Sequence, residues 1–240
     1  MFNLQEMPWT DVKEALKTTK TALIPIGAVE VDGPYLPQGT DGIVATYFSN
    51  KLAERITSFV VPLIPVGVCP EADDFPITLS VSPATLGAYV GEICDSLVKH
   101  GINRIIFVSG HRTNVPALEE NMVRLRDKGV KSAIIFTWDL MFSISKDLAE
   151  SDPPNTHGGE FCTSVVMAID ENLVPTERFE KTTPKKRIGS GVPGVYIYQK
   201  FSDLSDVGVM GDPRKASKEK GLVMLKRGLD KAEEFIVNNL

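Results

Sequence analysis

Short apolar runs alternate along the chain with longer stretches whose apolar positions recur every three or four residues. The runs at 21–26 (TALIPI), 60–68 (VVPLIPVGV), 104–108 (RIIFV) and 131–138 (KSAIIFTW) predict buried strands. The two prolines of the second run place it at a sheet edge or a strand end. Helical periodicity covers 11–18, 41–56, 83–100, 116–128 and 217–238, and a further apolar helix is entered at His157 and Glu160. Asp11 with Glu14 reads as a capping box, and Trp9 before it is expected to pack on the body of the protein. Ser82-Pro83 starts a helix as N-cap and first helical residue, and Gly101 and Gly129 stop the helices before them. Trp138 and Asp139 fall at the end of the 131–138 strand. The segment 180–205 is rich in Gly, Pro and Lys, with a short strand expected at 195–198. It reads as a loop-rich insertion or an oligomer contact. Strands alternating with amphipathic helices predict an α/β fold with a mostly parallel sheet covered on both faces. Without an internal repeat or a long linker, 1–240 reads as a single domain.

Polar chemistry gathers where the predicted strands end, the place where such sheets bind ligands. After the first strand, GAVEVDGPYLPQGTD carries Glu30, Asp32 and Asp41. Glu30 and Asp32 are two apart, so an extended backbone sets both on one face. Asp41 is placed to open the next helix as its N-cap. Carboxylates gathered in this way repel unless something positive holds them. They read either as a divalent metal site or as a solvated acidic loop with a helix cap. The strand at 104–108 leads into a glycine turn that carries His111, and the 156–169 stretch brings His157 and Glu160. Together Glu30, Asp32, Asp41, His111, His157 and Glu160 are expected on one rim. Carboxylates with imidazole suit Zn, Mn or Fe, and a pair of such ions bridged by Asp41 lowers the pKa of a water between them. Asp73, Asp74 and Phe75 either line the same cleft or lie on a polar surface loop. Cys162 is either a thiol nucleophile beside His157 or a buried, inert cysteine. His100 reads as the last residue of its helix, without chemistry.

Composition narrows the classes. The 240 residues are 42% hydrophobic and 24% charged, enough for a large α/β domain. A net charge of -5 leaves no basic excess for nucleic acid. No apolar run is long enough to span a membrane, and the N-terminus lacks the pattern of a secretory signal. The three widely spaced cysteines, Cys69, Cys94 and Cys162, read as reduced thiols of a cytoplasmic protein. Neither a GxxxxGKS/T loop nor a GxSxG elbow is present, and IGSGVPG at 188–194 is too weak a pattern for a phosphate loop.

Five stretches then resemble, in order, the motifs of the creatininase (creatinine amidohydrolase) family. They are PIGAVEVDGPYLPQGTD, DDFPITLSVSPATL, FVSGHRTN, NTHGGEFCTS and GVMGDPRKASKEKG. The resemblance implies a three-layer α/β sandwich and hydrolysis of C–N bonds in cyclic amides and formamides, with some relatives acting on a peptide. It also implies one or two divalent metal ions (Zn, Mn or Fe) per subunit and a homo-oligomer, a hexamer built as a trimer of dimers. Carried over by position, Glu30, Asp41 and His111 are metal ligands, and His157 assists proton transfer to a small-molecule substrate. Asp32 stands where the family has a histidine ligand, Thr113 where creatininases have a metal-binding glutamate, Cys162 where ETS has its glutamate and Tyr35 where GPHLP has its histidine. Glu160 remains a further catalytic candidate. The alternatives to a C–N hydrolase are a hydrolase of a cyclic polyol ketone and a non-catalytic binding or assembly protein with a degenerate metal site.

Overall fold

The computed structural model describes residues 1–152, 156–179, 194–195 and 197–240. Among these residues five parallel strands form one sheet: β1 (Phe2–Asn3), β2 (Thr21–Ile26), β3 (Phe59–Val60), β4 (Arg104–Ser109) and β5 (Lys131–Phe136). Their order across the sheet is β1-β3-β2-β4-β5. Helices α1 (Trp9–Ala15), α3 (Pro83–Lys99) and α4 (Val115–Asp127) contribute to the core on one face. The opposite face is covered by α2 (Thr40–Ile56), α5 (Thr137–Ser143), α6 (Glu160–Ile169) and α8 (Lys218–Asn239). A short α7 (Phe201–Leu204) lies in the segment before α8. The architecture is therefore the predicted three-layer sandwich.

Alternation along the strands explains the two cores. Leu23, Ile106 and Val108 join Val44, Phe48, Phe161, Val165 and Leu225 on one side. Ile24, Ile26, Ile105 and Phe107 join Leu86, Val90, Leu118 and Leu125 on the other. Successive strand residues face opposite ways, so strands apolar at every position are needed to fill both layers.

The register fixes where the site lies. In the β2–β4 pairing Ile26 stands opposite Ser109, so the loops after the two strands begin side by side. The Gly110 N–H donates to Ile26 O and the Gly27 N–H to Ile64 O. A Cβ on Gly27 would lie 2.6 Å from Gly42 Cα, and one on Gly110 would lie 2.2 Å from Asp41 O. Only bare backbone lets α2 start this close to both loops. Asn114, fully buried, ties them together. Its Oδ1 accepts from Val68 N–H (2.9 Å) and its Nδ2 donates to Gly27 O (3.0 Å).

Several elements differ from their sequence expectation. The run at 60–68 pairs as a strand only through Val60, because Pro62 and Pro65 have no N–H to donate; a lone bridge between Ile26 and Ile64 follows. The capping box of Asp11 and Glu14 is absent: α1 begins at Trp9, its N-cap is Pro8, and Trp9 is 75% exposed instead of packed. Helix α2 begins at Thr40 with Gly39 as N-cap, so Asp41 sits inside the first turn. Strand β5 ends at Phe136, and Trp138 and Asp139 belong to the first turn of α5. Val195, Ile197 and Tyr198 are not in a strand. Residues 153–154 of the expected 152–154 loop and 188–193 of the glycine cluster lie outside the described residues. The Ser82 cap holds, accepting from Thr85 N–H, and Gly101 and Gly129 adopt φ of +87° and +71° as helix stops. All three cysteines are buried and free. Among the described residues no helix is long and apolar enough to cross a membrane.

Replacing Asn114 with Ala strands the Val68 N–H and the Gly27 carbonyl without partners. At about 1–3 kcal/mol for a buried group left unpaired, urea unfolding of this variant is expected to show a loss of about 3 kcal/mol.

Candidate metal centre

Asp41 owes its place to the early start of α2. Its carboxylate does not cap the helix but turns into a cleft. Oδ1 accepts from the Trp138 indole N–H at 2.8 Å, and Oδ2 lies 3.0 Å from His111 Nδ1. Glu30 Oε1 is 3.1 Å from the same nitrogen. Asp32 lies 3.5 Å from His157 Nε2. Five of the six expected rim residues thus meet: Glu30, Asp32, Asp41, His111 and His157 line one cleft of ≈ 710 Å³. Its walls carry Phe136, Trp138, Phe142 and Phe201.

Glu160 does not join them. Its carboxylate is fully buried behind the rim, accepting from Lys220 Nζ (2.6 Å), Ser151 Oγ (2.6 Å) and the Glu150 and Ser151 N–H groups. As the first residue of α6 it points away from the cleft, so the catalytic expectation for Glu160 is corrected to an anchor for the 150–151 loop. Asp73 and Asp74 do not line the cleft either. Both hold Lys200, at 2.6 and 2.8 Å, which anchors the segment that carries Phe201 over the site.

Two residues gained a role that the sequence did not announce. Glu71, in a single 3-10 turn at Pro70–Ala72, reaches the cleft with Oε1 3.1 Å from His111 Nε2, and Thr113 Oγ1 donates to that oxygen at 2.6 Å. Tyr35 is buried, and its hydroxyl donates to Gly158 O at 2.6 Å, securing the turn that presents His157. The only sequence signal for Glu71 was an acid beside a proline after an apolar run, which any surface turn can carry.

The electrostatics are those of a site short of positive charge. Burial, reinforced by Asp41 and Glu30, pushes the Asp32 carboxyl well above its ordinary range. Burial also raises Glu30, against the opposing pull of His111. For His111 burial works downward, but the Glu30 and Asp41 carboxylates outweigh it and hold the imidazolium well above its usual value. Burial pushes the Glu71 carboxyl up, but the neighbouring His111 imidazole and the Thr113 hydroxyl outweigh it and hold it below its ordinary value. Cys162 is raised well above the thiol range by burial and by Asp32, and its Sγ–H faces Thr156 O. It stays a neutral thiol, in keeping with the inert reading and not with a nucleophile.

A divalent cation fits this donor set. Glu30 Oε2 and Asp32 Oδ2 are buried without hydrogen-bond partners. Ligand oxygens of Glu30, Asp32 and Asp41 lie within 4.8 Å of one another, as do ligand atoms of Glu30, Cys69 and His111. That spread matches atoms placed around one ion at about 2.0–2.4 Å.

Fold and site together define a parallel α/β sandwich with a buried carboxylate–imidazole pocket at its strand ends. The chain belongs to the creatininase family of hydrolases: residues 5–236 match the family described as creatinine amidohydrolase. It is 26% identical to a creatinine amidohydrolase of Pseudomonas putida over 92% of this chain and 90% of that one. It is 29% identical to a mycofactocin precursor peptide peptidase of Mycolicibacterium smegmatis, over 83% and 77%. A solved manganese creatininase superposes with a TM-score of 0.81 at 23% identity, covering 98% of this chain and 96% of that one.

The raised groups set a pH dependence for the metal-free protein. Asp32, Glu30 and His111 all bind protons more tightly when folded. Their stabilising contributions are complete below their ordinary values of 3.8, 4.5 and 6.5 and are lost as pH rises through the raised ones. Thermal unfolding of chelator-treated protein should therefore show a lower Tm at about pH 8.5 than at about pH 5.5, and saturating Mn²⁺ should shrink the difference. Replacing Glu160 with Ala should cost stability, up to about 3 kcal/mol by denaturant unfolding, while leaving the metal content unchanged.

Proposed function

We propose that this protein is a metal-dependent hydrolase cleaving the C–N bond of a small cyclic amide or formamide-type substrate. The observation that carries the reading is the cluster of Glu30, Asp32 and Asp41 around His111, buried, with orphaned ligand atoms, on the floor of an aromatic-walled cleft. Glu30, Asp41 and His111 are the ligands, and Asp32 adds a further oxygen on the side of His157. One or two ions per subunit suit this set, and its oxygen-rich character favours Mn over softer metals, with Zn and Fe as alternatives. A divalent ion held there supplies Lewis acidity to a substrate oxygen and acidifies water.

The chain's own residues do the rest. Trp138 fixes Asp41 through its indole N–H, so the carboxylate keeps one orientation. The Phe201 ring packs against the His157 ring, tilted by 44° with centroids 4.5 Å apart, and Val31 O accepts from His157 Nε2. These two contacts hold the imidazole at the cleft wall, where it delivers a proton to the departing nitrogen. Phe136, Phe142 and Phe201 shape an apolar slot for a small flat substrate and keep bulk water from it. Both curated relatives described above are named for cleavage at C–N bonds, which favours this chemistry over the cyclic ketone alternative.

Chelation should abolish turnover of a panel of lactams, cyclic ureas and formamides, and Mn²⁺ or Zn²⁺ should restore it. Asp41→Ala should lose both metal and activity. His157→Ala should keep its metal, with kcat lower by about 100- to 10,000-fold. Unimpaired turnover in Asp41→Ala would sink the proposal.

A further inference from the structure

The imidazole of His111 has carboxylate oxygens at both ring nitrogens. Nδ1 lies 3.0 Å from Asp41 Oδ2 and 3.1 Å from Glu30 Oε1. Nε2, on the opposite edge of the ring, lies 3.1 Å from Glu71 Oε1 and is buried without a hydrogen bond of its own. A neutral imidazole that gives one nitrogen to a cation carries its proton on the other, and that N–H needs an acceptor. We infer that Glu71 is the positioning residue of His111: it takes the Nε2 proton as acceptor and so keeps Nδ1 turned onto Glu30 and Asp41.

Three features support the assignment, which rests on the metal reading given above. The Nε2–Oε1 separation is already a hydrogen-bonding distance, so closing the bond needs a reorientation of the ring and no translation. The acceptor is held still, because Thr113 Oγ1 donates to the same Oε1 at 2.6 Å. Thr113 lies two residues beyond His111, so the histidine and the clamp on its acceptor move together on one short turn, Arg112–Asn114. The segment that carries Glu71 is itself pinned: the Thr78 hydroxyl donates to Ala72 O, and Asp73 and Asp74 hold Lys200. Thr113 in this arrangement is no ligand. It serves the metal at one remove, through the carboxylate that orients the imidazole.

The test is a competition titration of Zn²⁺ against a chromophoric chelator on the full chain, combined with ¹⁵N NMR of His111 in the Zn²⁺-loaded protein. Glu71→Ala is expected to weaken Zn²⁺ binding about 10- to 100-fold. Glu71→Gln keeps an acceptor oxygen and should recover most of that loss. The wild type should show a bare, metal-bound Nδ1 and a proton on Nε2. Wild-type affinity in Glu71→Ala, a Gln variant as damaged as the Ala variant, or a proton on Nδ1 overturns the inference. Should Glu71→Ala not fold, Thr113→Val frees the carboxylate without removing it; a severalfold loss of affinity supports the inference and no loss overturns it. The two readings fail separately. Wild type that takes up no Zn²⁺ or Mn²⁺ ends the metal reading and this one with it. Metal uptake that is abolished by Asp41→Ala but indifferent to Glu71→Ala ends only this one.

Discussion

Like charges forced together out of water govern this structure. Glu30, Asp32 and Asp41 sit within a few ångströms of one another, each almost fully buried, with the His111 imidazole among them and His157 beside Asp32. Burying a carboxylate without a counter-charge is costly, and burying three multiplies the cost. The fold meets that cost with rigidity. The residue-for-residue pairing of β2 with β4 starts two loops at the same level, glycines let α2 press against both, and Asn114 binds the loops after β2, β3 and β4 into one unit. The repulsion of the acids is thus borne by the central strand pair of the sheet and the tied loops at its end, as where stability is surrendered for function.

The layer architecture was legible because strands buried on both faces must be apolar on both sides, and 22–26 of TALIPI and 105–108 of RIIFVS are apolar at every position. What composition could not convey was where regular pairing stops. At 60–68 hydrophobicity promised a long strand, but two missing N–H groups ended the ladder after Val60. Helix boundaries misled in the same way. Asp41 has the chemistry of an N-cap, yet a helix that starts two residues earlier, capped at Gly39, converts it from a cap into a cleft carboxylate. Only the fold, not local propensity, decides between those uses of one side chain.

The site was readable where function lies close to a strand end and opaque where it depends on long-range contact. Glu30, Asp32, His111 and His157 follow strands or open a helix, so topology alone collects them. Glu160 follows the same rule and breaks it, because a helix turns by about 100° per residue and its first residue can face inward or outward. Lys220, sixty positions away, takes its charge. Glu71 is the converse: nothing near it in sequence marks it, and its value comes from Thr113 on another strand-end loop. The segment at 70–74 consequently touches two parts of the site at once, the imidazole through Glu71 and the aromatic strap through Asp73 and Asp74.

The hydrogen bond from Trp138 to Asp41 has an optical consequence. The chain has two tryptophans, and they stand in opposite surroundings: Trp9 in solvent and Trp138 buried with its N–H on a carboxylate. Indole emission responds to nearby charge, so whatever changes the charge shared by Asp41 changes the colour and yield of one emitter and spares the other. The protein carries its own fluorescent indicator of the state of its central acid.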